Sequence, residues 1–289
     1  MGGGVGVDPA EHRERLLVHG GEKPVSRPKL IAVDLDDTLL EADLTLLDET
    51  AAALAEAKAR GVKLVLATGR MFRSALPYAR RLGIDGYLIT YNGALVRSVD
   101  GETFWHKPVP AHHARALVDF ARRADLRLNL YLDDTLVVDE VDERVEYYLT
   151  IAQVEPEVVD DLMQALERGE PTKCLLVGEP GQVAELLPRM QAAFPDLQIS
   201  RSKPRFIEVT RRGIRKDVAL AAVAERFGIR MEDVMAVGDG DNDAAMLAGA
   251  GIGVAVANAS AKAKEAAAYV AAGARGAGVV EAVRRFVLA

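Results

Sequence analysis

The sequence predicts an α/β protein: a doubly wound, mostly parallel sheet core interrupted by an inserted α+β segment. Short continuous apolar runs alternate with helices at both ends of the chain, as parallel strands covered on both faces require. Three polar clusters stand at the ends of such runs, where open α/β sheets bind ligands. The middle instead carries apolar residues at every second position, the pattern of a sheet with two unlike faces. A length of 289 residues fits two domains.

Residues 1–27, rich in glycine and charge, read as a flexible leader without the basic start and apolar stretch of a signal peptide. Leu30–Val33 is the first strand and runs into Asp34, Asp36 and Asp37. A helix follows over Asp48–Arg60, with Asp48 as N-cap and Gly61 as stop. Val62–Ala67 is the next strand, closing on Thr68-Gly69-Arg70. Met71–Leu82 is helical, with Pro77 expected to bend it or lie near its start. Tyr87–Thr90 is a third strand, and Asp100-Gly101 turns a hairpin between Leu95–Val99 and Thr103–Lys107. These elements place residues 28–108 in the core.

The inset spans residues 109–206. Helix Ala111–Ala124 leads into Leu126–Asp133, where Leu126, Leu128, Leu130 and Leu132 alternate with Arg127, Asn129, Tyr131 and Asp133. If the leucines pack on helices, the polar face is left for water or for a cleft, where Arg127, Asn129 and Tyr131 would read a ligand. Asp133-Asp134 turns the chain into strand Thr135–Asp139. A helix, strand Thr172–Val177, helix Gln182–Phe194 and strands Leu197–Ser200 and Phe206–Thr210 complete the inset. The core resumes over 207–289, with helix Lys216–Phe227, strand Val234–Val237 ending at Gly238-Asp239, strand Gly251–Val256 and a last helix, Gly278–Leu288.

Composition narrows the function. The 36 Lys and Arg against 43 Asp and Glu leave a net charge of −7, which argues against nucleic-acid or membrane-surface partners. Residues 244–261 are uncharged, yet rich in Ala and Gly and poor in the Leu, Ile and Phe that membrane insertion needs. The single cysteine, Cys174, excludes an internal disulfide and a cysteine metal cage, and fits a reduced, cytoplasmic setting. Nothing in the sequence sets the oligomeric state.

The polar clusters are Asp34-Leu35-Asp36-Asp37-Thr38, Thr68-Gly69-Arg70 and Asp239-Gly240-Asp241-Asn242-Asp243. Two acidic clusters at one sheet edge repel unless a cation lies between them. A hard divalent ion with oxygen ligands meets that need, and Mg²⁺ favours a few carboxylates together with a phosphate. Thr68, the N–H groups near Leu35 and Gly69, and Lys216 at a helix start would form an anion site beside it. This pattern points to metal-assisted chemistry on a phosphate group.

With DLDDT at Asp34–Thr38, ATGR around Thr68, Lys216 and GDGDND at Gly238–Asp243, the chain resembles the haloacid dehalogenase-like phosphatase superfamily. YNGA at Tyr91–Ala94 and FIEV at Phe206–Val209 resemble its Cof-type members, and the inset resembles their type IIB cap. The resemblance implies a Mg²⁺-dependent phosphatase acting on a small phosphorylated metabolite, such as a sugar phosphate or phosphorylated cofactor. Asp34 would be the nucleophile that forms an aspartyl-phosphate, and Asp36 the general acid and then base. Thr68 and Lys216 would hold phosphoryl oxygens, helped by the Leu35 and Gly69 N–H groups, Arg70, Asn92 and Asn242. Asp34, the Asp36 carbonyl, Asp239 and Asp243 would hold the metal. A phosphomutase on the same fold, or a non-catalytic phosphate-ligand sensor, are the alternatives.

Overall fold

A computed structural model describes residues 27–152 and 154–289, so residues 1–26 of the leader lie outside the described residues. The chain folds around two sheets. In order, the elements are β1 (Leu30–Val33), α1 (Asp48–Ala59), β2 (Lys63–Ala67), α2 (Phe72–Arg81), β3 (Tyr87–Thr90), β4 (Leu95–Ser98) and β5 (Thr103–His106). Then come α3 (Ala111–Arg123), β6 (Arg127–Leu132), β7 (Thr135–Val138), α4 (Glu143–Ala152), β8 (Glu157–Val158), α5 (Leu162–Ala165) and β9 (Lys173–Val177). The rest are α6 (Pro180–Ala193), β10 (Leu197–Lys203), β11 (Phe206–Arg211), α7 (Lys216–Arg226), β12 (Val234–Gly238), α8 (Ala244–Gly249), β13 (Ile252–Ala255), α9 (Ala261–Ala266), β14 (Tyr269–Val270) and α10 (Arg275–Val283).

The first sheet has the order β14-β13-β12-β1-β2-β3-β4-β5. Pairing is parallel from β14 to β3, and the β3-β4-β5 meander closes one edge in antiparallel fashion. β1, β3, β12 and β13 are buried along their whole length, which explains their unbroken apolar sequence. Strand order reverses beside β1: the chain proceeds to β2 on one side and returns at β12 on the other. That reversal is the position at which such sheets open a crevice.

The second sheet, β10-β11-β9-β6-β7-β8, is antiparallel apart from the short β7–β8 pair. Its leucine face, Leu128, Leu130 and Leu132, packs with Leu117 and Val118 of α3 and Val183 and Leu186 of α6. Its other face is not a solvent face. Asn129 is 0 % exposed and Tyr131 3 % exposed, and Val145 and Tyr148 of α4 join Tyr131 in the same apolar cluster. A helix over the second face is something alternation alone does not reveal. β11 pairs with β9 and β10, so the inset's sheet runs to Arg211, past a boundary at residue 206.

Local differences have local causes. Leu47, not Asp48, is the N-cap of α1; Asp48 is the first helical residue and its carboxylate takes a bond from Arg81 at 2.7 Å. Pro77 falls inside α2. The last helix starts at Arg275 and widens into a π turn from Arg284. The uncharged run 244–261 is α8, a turn and the buried strand β13, and no described helix is long and apolar enough to cross a membrane.

Candidate active site

Register builds the site. Val33 of β1 pairs with Val237 of β12 and Leu66 of β2, so all three strands end together. Asp34, Thr68 and Asp239 therefore emerge at one edge, and the Asp34 N–H donates to the Val237 carbonyl at 3.0 Å. Leu35 turns its side chain into the core, fully buried.

Lys216 begins α7 and is 1 % exposed. Its ammonium donates to Asp34 Oδ1 at 2.5 Å and to Asp243 Oδ1 at 2.7 Å. Asp243 Oδ2 accepts the N–H groups of Asp239 and Gly240 at 3.1 and 2.9 Å, so Asp243 organises its own loop. Gly238 permits this approach: a Cβ there would stand 2.7 Å from the Asp243 side chain. Thr38 Oγ1 donates to Asp239 Oδ1 at 2.7 Å and ties the first acidic loop to the last.

Asp34, Asp239 and Asp243 offer oxygens within 4.8 Å of one another. Three carboxylates around one ammonium leave a local excess of negative charge. Burial, reinforced by Asp243 and Asp239, pushes the Asp34 carboxyl well above the usual range, although Lys216 pulls the other way. Burial also raises Asp239, against the pull of the Thr38 hydroxyl, with Asp243 adding to the rise. Burial by itself would lower the Lys216 ammonium, but Asp34 and Asp243 outweigh it and raise it. An oxygen-only set that resists holding its full charge fits a hard divalent cation.

Asp36 points elsewhere. Arg70 grips it with a guanidinium fork, Nε at 3.0 and 2.8 Å from its two oxygens and Nη2 at 2.5 Å from Oδ1. Planar fork geometry makes this a specific pairing. Thr68 is fully buried, and its hydroxyl accepts the Arg70 N–H at 3.1 Å. Asn92 holds a left-handed φ of 57° beside Gly69, and its side-chain oxygen accepts from Asn242 Nδ2 at 2.9 Å. The loops after β2, β3 and β12 are thus stitched together.

The remaining sequence candidates are not gathered here. Asp37 turns to Arg275 at 3.0 Å and Asp241 to Ser260 at 2.7 Å. Arg127 pairs with Glu140 and Asp142, the Tyr131 hydroxyl meets that of Tyr148, and the Asn129 amide finds no partner among the described residues. Two residues that the sequence did not single out for the site pack beside the start of α2. Asp134 of the β6–β7 turn receives the N–H groups of Phe72 and Arg73 and the hydroxyl of Tyr91. An Asp-Asp pair in a hairpin reads only as turn chemistry, and Tyr91 only as part of YNGA.

A family model described as haloacid dehalogenase-like hydrolase matches residues 31–283. The chain is 31 % identical to the 5-amino-6-(5-phospho-D-ribitylamino)uracil phosphatase YcsE of Bacillus subtilis, over 90 % of this chain and 96 % of that one. It is 27 % identical to an HMP-PP phosphatase of Escherichia coli, over 74 % of this chain and 79 % of the relative. Among solved structures, a haloacid dehalogenase-like hydrolase from Bacteroides thetaiotaomicron superposes with a TM-score of 0.83 at 28 % identity, covering 90 % of this chain and 99 % of that one. A HAD subclass IIB sugar phosphatase gives a TM-score of 0.72 at 26 % identity, covering 89 % and 98 %.

Proposed function

Because this chain belongs to the haloacid dehalogenase-like hydrolases and is a phosphomonoester hydrolase, we propose that it cleaves small phosphorylated metabolites through an aspartyl-phosphate on Asp34. The observation that carries this reading is the buried Lys216 ammonium bridging Asp34 and Asp243, with Asp239 in the same cluster. Lys216 restrains the Asp34 carboxylate, and together with Thr68 it binds phosphoryl oxygens. One Asp34 oxygen attacks phosphorus while the ester P–O bond breaks. Asp36 gives its proton to the departing oxygen, then takes one from the water that attacks the aspartyl-phosphate and releases inorganic phosphate.

Arg70 acts on both partners. It orients Asp36 through its fork and presents the same guanidinium to an arriving phosphate. Asn92 and Asn242 keep the surrounding loops in register, and the N–H groups of Leu35 and Gly69 complete the anion cradle. Asp34, Asp239, the Asp36 carbonyl and Asp243, directly or through water, would hold Mg²⁺. When bound, the ion supplies neutralisation of charge on the transferring phosphoryl group.

The substrate is small. A cleft of about 460 Å³ opens beside Arg70, between α2 and the inset's Leu136 and Val154, a volume in the range of metabolite sites. Sugar phosphates and phosphorylated heterocyclic intermediates agree with the sugar phosphatase and the ribitylaminouracil and HMP-PP phosphatases that the chain resembles. A lone, buried Cys174 suits a cytoplasmic enzyme. The test is a screen of phosphorylated metabolites with Mg²⁺, reading inorganic phosphate and using Asp34→Asn as blank. Release by the wild type and none by the variant is expected. Undiminished release by Asp34→Asn removes the nucleophile, and isomerised sugar phosphate without free phosphate favours a mutase.

A further inference from the structure

The turn between β6 and β7 reaches out of the inset and seats one carboxylate on the core. Asp134 is 5 % exposed, with Oδ1 accepting the Phe72 N–H and the Tyr91 hydroxyl, both at 2.8 Å, and Oδ2 accepting the Arg73 N–H at 2.6 Å. Phe72 and Arg73 open α2, whose own N-cap residue, Met71, supplies no side-chain acceptor. Asp134 therefore provides from another sheet the acceptor and the negative charge that a helix start favours.

What lies next to that helix start gives the contact its meaning. The residues before Met71 are Thr68, Gly69 and Arg70, and Arg70 is the side chain that grips Asp36. Tyr91, the third donor to Asp134, also gives its backbone N–H to the Arg70 carbonyl at 2.9 Å, and Asn92 gives its own to the Thr68 carbonyl at 3.0 Å. Tyr91 has φ 51°, a left-handed conformation unfavourable for a bulky side chain, so its hydroxyl and backbone bonds must hold it there. Tyr131 of β6 stacks edge-on against the Tyr91 ring at 5.6 Å, on the inset side. The Thr68–Arg70 loop is thus held at its Arg70 end by Tyr91, which Asp134 anchors, and at its Thr68 end by the neighbouring Asn92.

We infer that Asp134 is a positioning residue for the phosphatase reaction, which sets Arg70 and through it Asp36 only while the inset is seated on the core. This rests on the phosphatase reading above, and it makes seating of the inset a condition for competent proton transfer. With the turn lifted away, α2 loses its acceptor, Tyr91 loses its anchor and Arg70 loses its fixed reach to Asp36.

The experiment is a double-mutant cycle in the full-length enzyme with 4-nitrophenyl phosphate and Mg²⁺, joined to hydrogen exchange without substrate. Asp134→Asn keeps the shape but removes the charge and turns an NH₂ toward backbone donors. It should lower kcat about tenfold to a hundredfold, the scale of an ångström-level misplacement, with KM within about threefold. In an Arg70→Ala background the same change should cost less than about twofold, because the residue it acts through is gone. Amides over residues 71–76 should exchange faster in Asp134→Asn, and those of β12 should not. Tyr91→Phe removes one of the three donors, should show the same coupling at smaller size, and carries the cycle if Asp134→Asn does not fold.

Equal fold-losses from Asp134→Asn with and without Arg70, or unchanged exchange over 71–76, would overturn the inference. A wild type that releases no phosphate from any substrate sinks the phosphatase reading instead, and the exchange comparison still decides whether Asp134 clamps the helix. An Arg70→Ala enzyme of full activity ends the proposed link to Asp36.

Discussion

Replacing Lys216 by Met keeps the volume and removes the charge between two buried carboxylates. The ammonium side chain is 0 % exposed and lies 2.5 and 2.7 Å from Asp34 and Asp243. At an effective dielectric near 20, each contact is worth about 6 kcal/mol of attraction, most of it offset by desolvating the three groups. Removing one partner leaves the carboxylates uncompensated, a net cost of about 3–5 kcal/mol. For a chain of this size that lowers Tm by about 5–8 °C in chelating buffer. Mg²⁺ should recover part of the loss, because the cation takes over the compensation.

The sign with pH follows from the raised Lys216 ammonium. Its stabilisation is fully present below the ordinary lysine range and is lost only as pH rises through the higher folded value. The wild-type and Lys216→Met stabilities should therefore differ by a constant amount up to about pH 7 and by more above about 8, where the Asp34 carboxyl ionises only with Lys216 beside it. Turnover should fall by about 10²–10³ or more, the scale for a lost oxyanion donor. Thermal unfolding by circular dichroism and phosphate release measure these effects. A variant melting within about 2 °C of the wild type under chelation would show that the ammonium does not hold the two loops together.

Chelation should abolish phosphate release and Mg²⁺ restore it; an enzyme fully active in chelator would contradict the carboxylate cluster as a metal site. Gly93→Ala should destabilise by about 2–4 kcal/mol in urea unfolding, because φ is 104° and a Cβ would stand 2.5 Å from the Arg215 carbonyl, next to Lys216. An unchanged midpoint would show that this turn can move. Burial would raise the Asp142 carboxyl, yet Arg127, the Val145 N–H and Arg144 draw it down to about 2. Its stabilisation is present above the ordinary aspartate range and is lost as pH falls through about 2, so Asp142→Asn should cost about 1–2 kcal/mol at pH 7 and close to nothing below pH 2.

The core site was legible because its residues follow from strand ends. In a parallel sheet, each apolar run that closes on Asp34, Thr68 or Asp239 must deliver that residue to the same edge, however far apart they lie in the chain. Lys216 was legible as a cation at a helix start, but not as the partner of Asp243. The inset was legible only on one face. Its leucines marked the side packed on α3 and α6, while Arg127, Asn129 and Tyr131 looked available to a ligand and are instead covered by α4 or paired with Glu140, Asp142 and Tyr148.

By itself the sequence determined the alternating core, the interrupting inset and the acidic, phosphate-directed edge, because periodicity and strand-end chemistry are local properties of the chain. Only the tertiary structure decided which carboxylates cluster around Lys216 and which turn away to Arg275 and Ser260. It alone decided that Arg70 grips Asp36, and that a turn residue, Asp134, accepts the N–H groups that open α2. Those contacts join residues 19 to 238 positions apart in the chain, and only the packed fold selects them.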